Sequence, residues 1–128
     1  MVLKSQAVAI VDDDEFVLAA TVSLMRSAGV NPQAFHSAES FLDVPLEGFD
    51  CLISDVRMSG LSGLQLQEIL MTRAPHLPII ILTAFPTQEA RARALANGAA
   101  AFYGKPCDPD ILLQKLADIL GPLPFELD

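Results

Sequence analysis

The chain has 128 residues, of which 52% are hydrophobic and 19% are charged, a balance that excludes a disordered chain. Eight basic residues against sixteen acidic ones give a net charge of −8, which argues against binding nucleic acid through its phosphates. No apolar run approaches the ~20 residues of a transmembrane helix, and the first residues lack the apolar core of a signal peptide. Cys51 and Cys107 form neither a disulfide framework nor a zinc motif. We therefore expect one cytoplasmic domain.

The order of apolar residues predicts five strands, each followed by a helix. Short apolar runs predict strands at 7–11, 32–36, 49–54, 79–82 and 100–103. Helical spacing and capping residues predict helices at about 15–28 behind Asp14, after Ser37, after Ser62 with Gln65 in a capping box, from Pro86 to 96, and behind Asp108. This alternation predicts an α/β fold, a doubly wound parallel sheet with helices on both faces, in three layers.

Polar side chains follow several of these predicted strands. Asp12 and Asp13 come directly after the first strand, Asp55 ends the third, Thr83 ends the fourth, and Lys105 follows the fifth. The carboxyl ends of parallel strands meet at one edge of a sheet, which is where ligands bind in this type of fold. Clustered carboxylates need a cation, and oxygen donors without a nearby histidine or cysteine favour Mg²⁺, or Mn²⁺, over zinc or copper.

A strand-end carboxylate, a hard cation, a hydroxyl and a lysine suit phosphoryl transfer. An aspartate can act as the nucleophile and carry an acyl phosphate, while the cation and the lysine offset the charge on the phosphoryl oxygens. The chain has no glycine-rich nucleotide loop and no Ser-His-Asp set, because His36 and His76 are predicted to lie away from this edge. The residues thus favour phosphoryl transfer without a bound nucleotide.

Four short motifs at this edge resemble a known family. Val-Asp-Asp-Asp at 11–14, Asp-Val-Arg-Met at 55–58, Leu-Thr-Ala at 82–84 and Lys-Pro at 105–106 are similar to the signatures of CheY-like response-regulator receiver domains. The resemblance implies a flavodoxin-like (βα)5 sheet with strand order 2-1-3-4-5. We expect the receiver domain to span 1–121, with 122–128 as a tail or the stub of a linker.

The resemblance also implies a role for each residue at the edge. Asp55 would be the phosphoacceptor, receiving its phosphoryl group from the phosphohistidine of a sensor histidine kinase. Thr83 and Lys105 would contact the phosphoryl group, and Phe102 would take the place of the aromatic switch residue. The implied Mg²⁺ ligands are Asp12, Asp13, Asp55 and the backbone carbonyl of Arg57.

Phosphorylation is expected to act on the surface of the fourth helix, fifth strand and fifth helix. We expect Thr83 to move toward the phosphoryl oxygens and Phe102 to rotate inward, into the space this frees. The changed surface, near Arg91, Arg93 and Tyr103, would control an output domain or partner protein, or form a phosphorylation-dependent homodimer. The domain itself would bind neither nucleic acid nor membrane.

Some residues depart from the family pattern. Ser59 stands where many receivers have a proline, which is expected to loosen this loop without touching the chemistry, and Phe102 has no hydroxyl, so it would switch by packing. A cis bond is often found before the proline of Lys105–Pro106 in such proteins.

Two alternatives stay open. One is a phosphorylation-independent interaction module. The other is a Mg²⁺-dependent phosphatase with Asp55 as nucleophile, although such enzymes usually have a second acid where this chain has Arg57. As a receiver, the chain would catalyse only its own phosphorylation and dephosphorylation.

Overall fold

The computed structural model describes residues 6–124 and places five strands in a single parallel sheet. The strands are β1 (Ala7–Val11), β2 (Asn31–Phe35), β3 (Cys51–Ser54), β4 (Ile79–Thr83) and β5 (Ala101–Gly104). The helices are α1 (Glu15–Ser27), α2 (Ala38–Leu42), α3 (Gly63–Arg73), α4 (Gln88–Ala96) and α5 (Pro109–Leu120), with a 3₁₀ turn at Leu46–Gly48. The strand order is β2-β1-β3-β4-β5, so the predicted α/β fold is confirmed. Residues 1–5 of the predicted domain and 125–128 of the predicted tail lie outside the described residues.

The sheet separates two apolar clusters. Alternate residues along each strand face opposite sides, so Val8 and Ile10 of β1 point to one cluster and Ala9 and Val11 to the other. The α1/α5 cluster includes Leu18, Met25, Leu112 and Leu116. The α2–α4 cluster includes Phe41, Leu66, Leu70, Ala94 and Phe102. The central strands β3 and β4 are buried along their whole length, as a sheet covered on both faces requires.

The predicted N-caps hold their helices at the carboxyl edge of the sheet. At α1, for example, a carboxylate oxygen of Asp14 accepts the amide hydrogen of Phe16 at 2.9 Å. The capping residues that match the sequence prediction are Asp14, Ser37, Ser62 with Gln65, and Asp108. Each such cap stabilises a helix by about 1 kcal/mol, so the helix starts are set by local chemistry.

The start of α4 and the length of β3 differ from the prediction. The hydroxyl of Thr87 accepts the amide hydrogen of Ala90 at 3.1 Å, and this cap makes Gln88 the first helical residue instead of Pro86. Strand β3 begins at Cys51 instead of residue 49, because the Phe49 amide still closes the 3₁₀ turn by donating to the Leu46 carbonyl at 3.3 Å. The Lys105–Pro106 peptide bond is cis. Within residues 6–124, no helix combines the length and apolar character needed to cross a bilayer.

Candidate functional site

The register of the sheet brings the predicted residues to one place. Val11 of β1 pairs with Ser54 of β3, so the residues that follow, Asp12 and Asp55, leave the sheet side by side. The Asp55 amide donates to the Val11 carbonyl at 3.0 Å. On the other side of β3, the backbone carbonyl of Thr83 accepts the amide hydrogen of Lys105 at 2.8 Å.

Three carboxylates form an acidic cluster at this edge. Asp12, Asp13 and Asp55 each present an oxygen, and these three atoms lie within 4.8 Å of one another. Asp12 and Asp55 are only 4% and 8% exposed, whereas Asp13 is exposed. At this separation, and at an effective dielectric constant of about 20, the two buried carboxylates repel each other by about 3 kcal/mol. An all-oxygen donor set of this kind fits a hard divalent cation such as Mg²⁺.

Lys105 bridges the two buried carboxylates. Its Nζ lies 2.5 Å from Asp12 Oδ2 and 3.1 Å from Asp55 Oδ2, so one ammonium offsets part of the charge of both. Burial lowers the pKa of Lys105. The hydrogen bonds to the carboxylates of Asp12 and Asp55 raise it and together outweigh burial, so the pKa lies above its ordinary value. The ammonium therefore stays charged where it contacts the cluster.

Asp55 is held on both oxygens. Oδ1 accepts the amide hydrogen of Val56 at 2.7 Å, and Oδ2 accepts from Lys105. Burial raises the pKa of Asp55; Lys105 lowers it and Asp12 raises it, leaving the pKa above its ordinary value. The Asp55 side chain is thus fixed in position, and its carboxylate is poorly solvated. Both properties suit a carboxylate that acts as a nucleophile.

Gly63 is a site residue that the sequence analysis missed. A Cβ added to Gly63 would lie 1.8 Å from the backbone oxygen of Asp55, and the Gly63 amide donates to the Val56 carbonyl at 2.8 Å. The start of α3 therefore packs directly on the backbone that carries Asp55. The glycine after the predicted cap Ser62 was the available signal, but only the tertiary contact shows its purpose.

Comparison with known proteins decides the family. A model of the response regulator receiver domain matches residues 8–117. The chain belongs to this family. The resemblance seen in the motifs is thereby confirmed, and so is the class of two-component response regulators.

Relatives of this receiver domain are longer proteins. The chain is 35% identical over 120 residues to the transcriptional regulatory protein FixJ of Azorhizobium caulinodans, covering 92% of the chain and 56% of FixJ. It is 38% identical over 122 residues to the response regulator protein TodT of Pseudomonas putida, covering 94% of the chain and 54% of TodT. The chain thus spans about half the length of both relatives. Among solved structures, a receiver domain protein from Methanospirillum hungatei aligns with a TM-score of 0.83 at 26% identity, covering 90% of this chain and 93% of that one.

A cavity opens beside the acidic cluster of the receiver domain. Its volume is about 770 Å³, and it runs from Asp13, Asp55 and Lys105 between α1 and the start of α5. Arg57 and Phe85 also line it, with the guanidinium carbon of Arg57 lying 4.5 Å from the centre of the Phe85 ring. Asp55 is therefore reachable from outside, although its side chain is largely buried.

The two predicted switch residues of the receiver domain are both buried. Thr83 is 0% exposed, and its hydroxyl oxygen accepts the amide hydrogen of Phe85 at 3.1 Å. Phe102 is 4% exposed, in the apolar cluster that also holds Leu66 and Ala94. The ring already lies inside in this structure, and its predicted inward rotation on phosphorylation stays a prediction. A space for it already exists between β5 and helices α3 and α4.

The three residues predicted to lie near the output surface of the receiver domain contact different neighbours. Arg91 donates from Nη1 to the Phe102 carbonyl at 3.2 Å, and Arg93 forms an ion pair with Glu68 of α3. Tyr103 is partly buried and packs against the α1/α5 cluster. The two arginines thus tie α4 to its neighbours, while Tyr103 belongs to the other face of the sheet.

Proposed function

We propose that this receiver domain accepts a phosphoryl group on Asp55 from the phosphohistidine of a sensor histidine kinase. A carboxylate oxygen of Asp55 attacks phosphorus, the bond from phosphorus to the imidazole nitrogen breaks, and its electron pair returns to the imidazole. The product is an acyl phosphate on Asp55. The observation that carries the proposal is the Lys105 ammonium between Asp55 and Asp12 in an acidic cluster that opens to a cavity.

The residues around Asp55 fit a magnesium ion. The carboxylates of Asp12, Asp13 and Asp55 supply oxygen donors within 4.8 Å of one another, and we assign the backbone carbonyl of Arg57 as a fourth. When bound, the ion would offset charge on the phosphoryl oxygens. Lys105 would contribute to the same task, since its charge already neutralises part of the cluster.

We propose that phosphorylation changes the surface formed by α4, β5 and α5, and that this surface contacts the output partner. In α4 only Ala94 is buried, and the helix is held mainly by polar contacts, including the Arg91 bond to the Phe102 carbonyl. A hydroxyl of Thr83 drawn toward a phosphoryl group would disturb the strand next to Phe102. Because FixJ is named a transcriptional regulatory protein, we propose that the partner on this surface is an output domain or protein that controls transcription.

Phosphorylation with acetyl phosphate tests the chemistry. Intact-mass measurement with Mg²⁺ should show one phosphate adduct, which a chelator prevents and which Asp55→Asn abolishes. Asp14→Asn is the matched control, because it makes the same change nearby and asparagine still caps α1. Equal labelling of Asp55→Asn would contradict the assignment. An unlabelled wild type would leave a phosphorylation-independent interaction module as the function.

A further inference from the structure

The loop after β3 is bonded directly to the acidic cluster. The Ser59 amide donates to Oδ2 of Asp13 at 3.1 Å, across 46 positions of sequence. Within residues 6–124, this is the one hydrogen-bond donor found on the Asp13 carboxylate. Ser59 was expected to loosen the loop without touching the chemistry. The structure shows a bond from this loop to Asp13 that a proline at this position could not form, because proline lacks the amide hydrogen.

We propose that the backbone amide of Ser59, through this one hydrogen bond, positions the Asp13 carboxylate for Mg²⁺. The inference rests on the proposed function, in which Asp13 is a metal ligand. A carboxylate has two oxygens, so an amide bonded to Oδ2 leaves Oδ1 free to bind a cation. Ser59 is therefore a positioning residue that acts through Asp13.

Asp13 needs such support because it is exposed. Asp12 and Asp55 are held by burial and by Lys105, whereas Asp13 is exposed. Without the amide it would sample several rotamers, and binding an ion would have to select one of them. Hydrogen bonds that orient metal ligands change metal affinity by about 10–100-fold when removed. For an exposed contact we expect the lower end, about tenfold.

The loop is also tied at a second point, outside the cluster. The Leu61 amide donates to Oε2 of Glu39 on α2 at 3.1 Å, and Gly60 between the two ties has a φ of 80°. Arg57, whose carbonyl is the proposed fourth ligand, lies two residues before Ser59. The Ser59 tie therefore links two proposed metal donors, Asp13 and Arg57. The Glu39 tie holds the same loop without contacting either, so it provides a control.

Isothermal titration calorimetry with Mg²⁺ on the whole chain tests the proposal. Ser59→Pro removes the amide hydrogen and should weaken Mg²⁺ binding about tenfold. Ser59→Ala keeps the amide hydrogen and should bind like the wild type. Glu39→Ala loosens the loop at its other tie and should also leave the affinity unchanged. Wild-type affinity in Ser59→Pro would overturn the proposal, as would an equal loss in Ser59→Ala or in Glu39→Ala.

Two further variants separate the possible failures. If the wild type does not bind Mg²⁺, or Asp13→Ala binds it equally well, the proposed metal site fails. If Asp13→Ala loses binding while Ser59→Pro does not, only the role of Ser59 fails. Should Ser59→Pro not fold by circular dichroism, an ester in place of the amide at residue 59 removes the same hydrogen. Ligation at Cys51 gives access to that ester, and unchanged Mg²⁺ affinity in the folded product would overturn the proposal.

Discussion

Gly63 lies beneath the proposed phosphoacceptor, where its missing side chain lets α3 approach β3. Since a Cβ there would meet the Asp55 backbone oxygen at 1.8 Å, Gly63→Ala must push the two elements apart. Overpacking of this kind costs about 1–3 kcal/mol, and contact with backbone places it near the upper end. Urea denaturation should therefore show a loss of about 3 kcal/mol in the free energy of unfolding.

Gly48 provides the matched control for this substitution. A Cβ added to Gly48 would have nothing within 4 Å, so Gly48→Ala should change stability by less than about 0.5 kcal/mol. If both variants lost a similar amount of unfolding free energy, the close contact between Gly63 and the Asp55 backbone would not explain the need for glycine at position 63.

The buried thiol of Cys51 makes the free energy of unfolding depend on pH in the alkaline range. Its thiol is fully buried in β3, and burial raises its pKa to about 12, against about 8.5 in an unfolded chain. Between these values the folded state keeps a proton that the unfolded state loses, so the free energy of unfolding falls as pH rises. A single group contributes a slope of up to about 1.4 kcal/mol per pH unit.

Comparison with Cys51→Ala isolates this contribution. The variant loses some packing at every pH, but its stability should fall less steeply than that of the wild type between about pH 8.5 and 11. Cys107→Ala is the control, because this partly exposed thiol should affect the slope less. Denaturation curves at several pH values give the free energy of unfolding of the wild type and both variants. Equal dependence on pH in the wild type and Cys51→Ala would contradict a contribution from the buried thiol.

At the scale of the element, α4 buries little apolar surface and is joined to its neighbours by hydrogen bonds and an ion pair. Its one buried residue is Ala94, whose carbonyl accepts from Nε2 of Gln67 at 2.9 Å. Gln67 is 1% exposed. Among the described residues, its Oε1 is the one buried side-chain nitrogen or oxygen atom without a hydrogen-bond partner. The amide thus links α3 to α4 while leaving one of its own polar atoms unsatisfied.

Replacing this amide should release α4 without harming the rest of the fold. Gln67→Met keeps the volume and removes the unsatisfied oxygen, so global stability should stay within about 1 kcal/mol of the wild type. Hydrogen exchange of the α4 amides should become faster, because the tie to Ala94 is lost. Glu68→Gln, which removes only an exposed ion pair with Arg93, should leave α4 exchange nearly unchanged. Unaltered exchange in Gln67→Met would show that the tie does not hold the helix.

Element starts were predictable where a side chain next to the helix decides them. Asp14, Ser37, Ser62 and Asp108 cap their helices through bonds spanning two or three residues, and such patterns can be read directly. Pro86 and Thr87 are neighbours that both favour a start, and the prediction chose the wrong one. The particular contacts that bury Phe102 could not be predicted, because they depend on α3 and α4 packing over β5 and not on local sequence.

At the scale of the whole molecule, the surface proposed for output can be tested by assembly. Leu95 of α4 is 41% exposed, and Phe16 of α1, on the other side of the sheet, is 87% exposed. With Mg²⁺ and beryllium fluoride as a phosphoryl mimic, we expect sedimentation to show a dimer that Leu95→Asp abolishes. Phe16→Asp should still dimerise, and Asp55→Asn should remain monomeric.

The outcome separates two uses of this surface. A monomer under all conditions, with unchanged amide NMR signals in α4 and β5, would contradict a switch through these elements. A monomer with changed signals would favour docking of a partner over self-association.

Fold and site location were predictable for the same reason. Strand–helix alternation implies a parallel sheet, and the ends of parallel strands lie together, so Asp12, Asp55 and Lys105 could be placed at one edge. The contacts of Ser59 with Asp13 and of Gly63 with Asp55 could not be predicted. They depend on how the loop after β3 returns across the sheet edge, and no spacing in the chain encodes that path.

The sheet that separates the two apolar clusters has a consequence for how such a protein can change over time. Substitutions beneath α1 and α5 share no packing partners with substitutions beneath α2–α4, so their effects on stability should add. One half can therefore accumulate changes without forcing compensation in the other. A hybrid domain should keep two intact cores if it takes α1, α5 and the strand residues that face them from one parent, and the remaining helices with their facing strand residues from another.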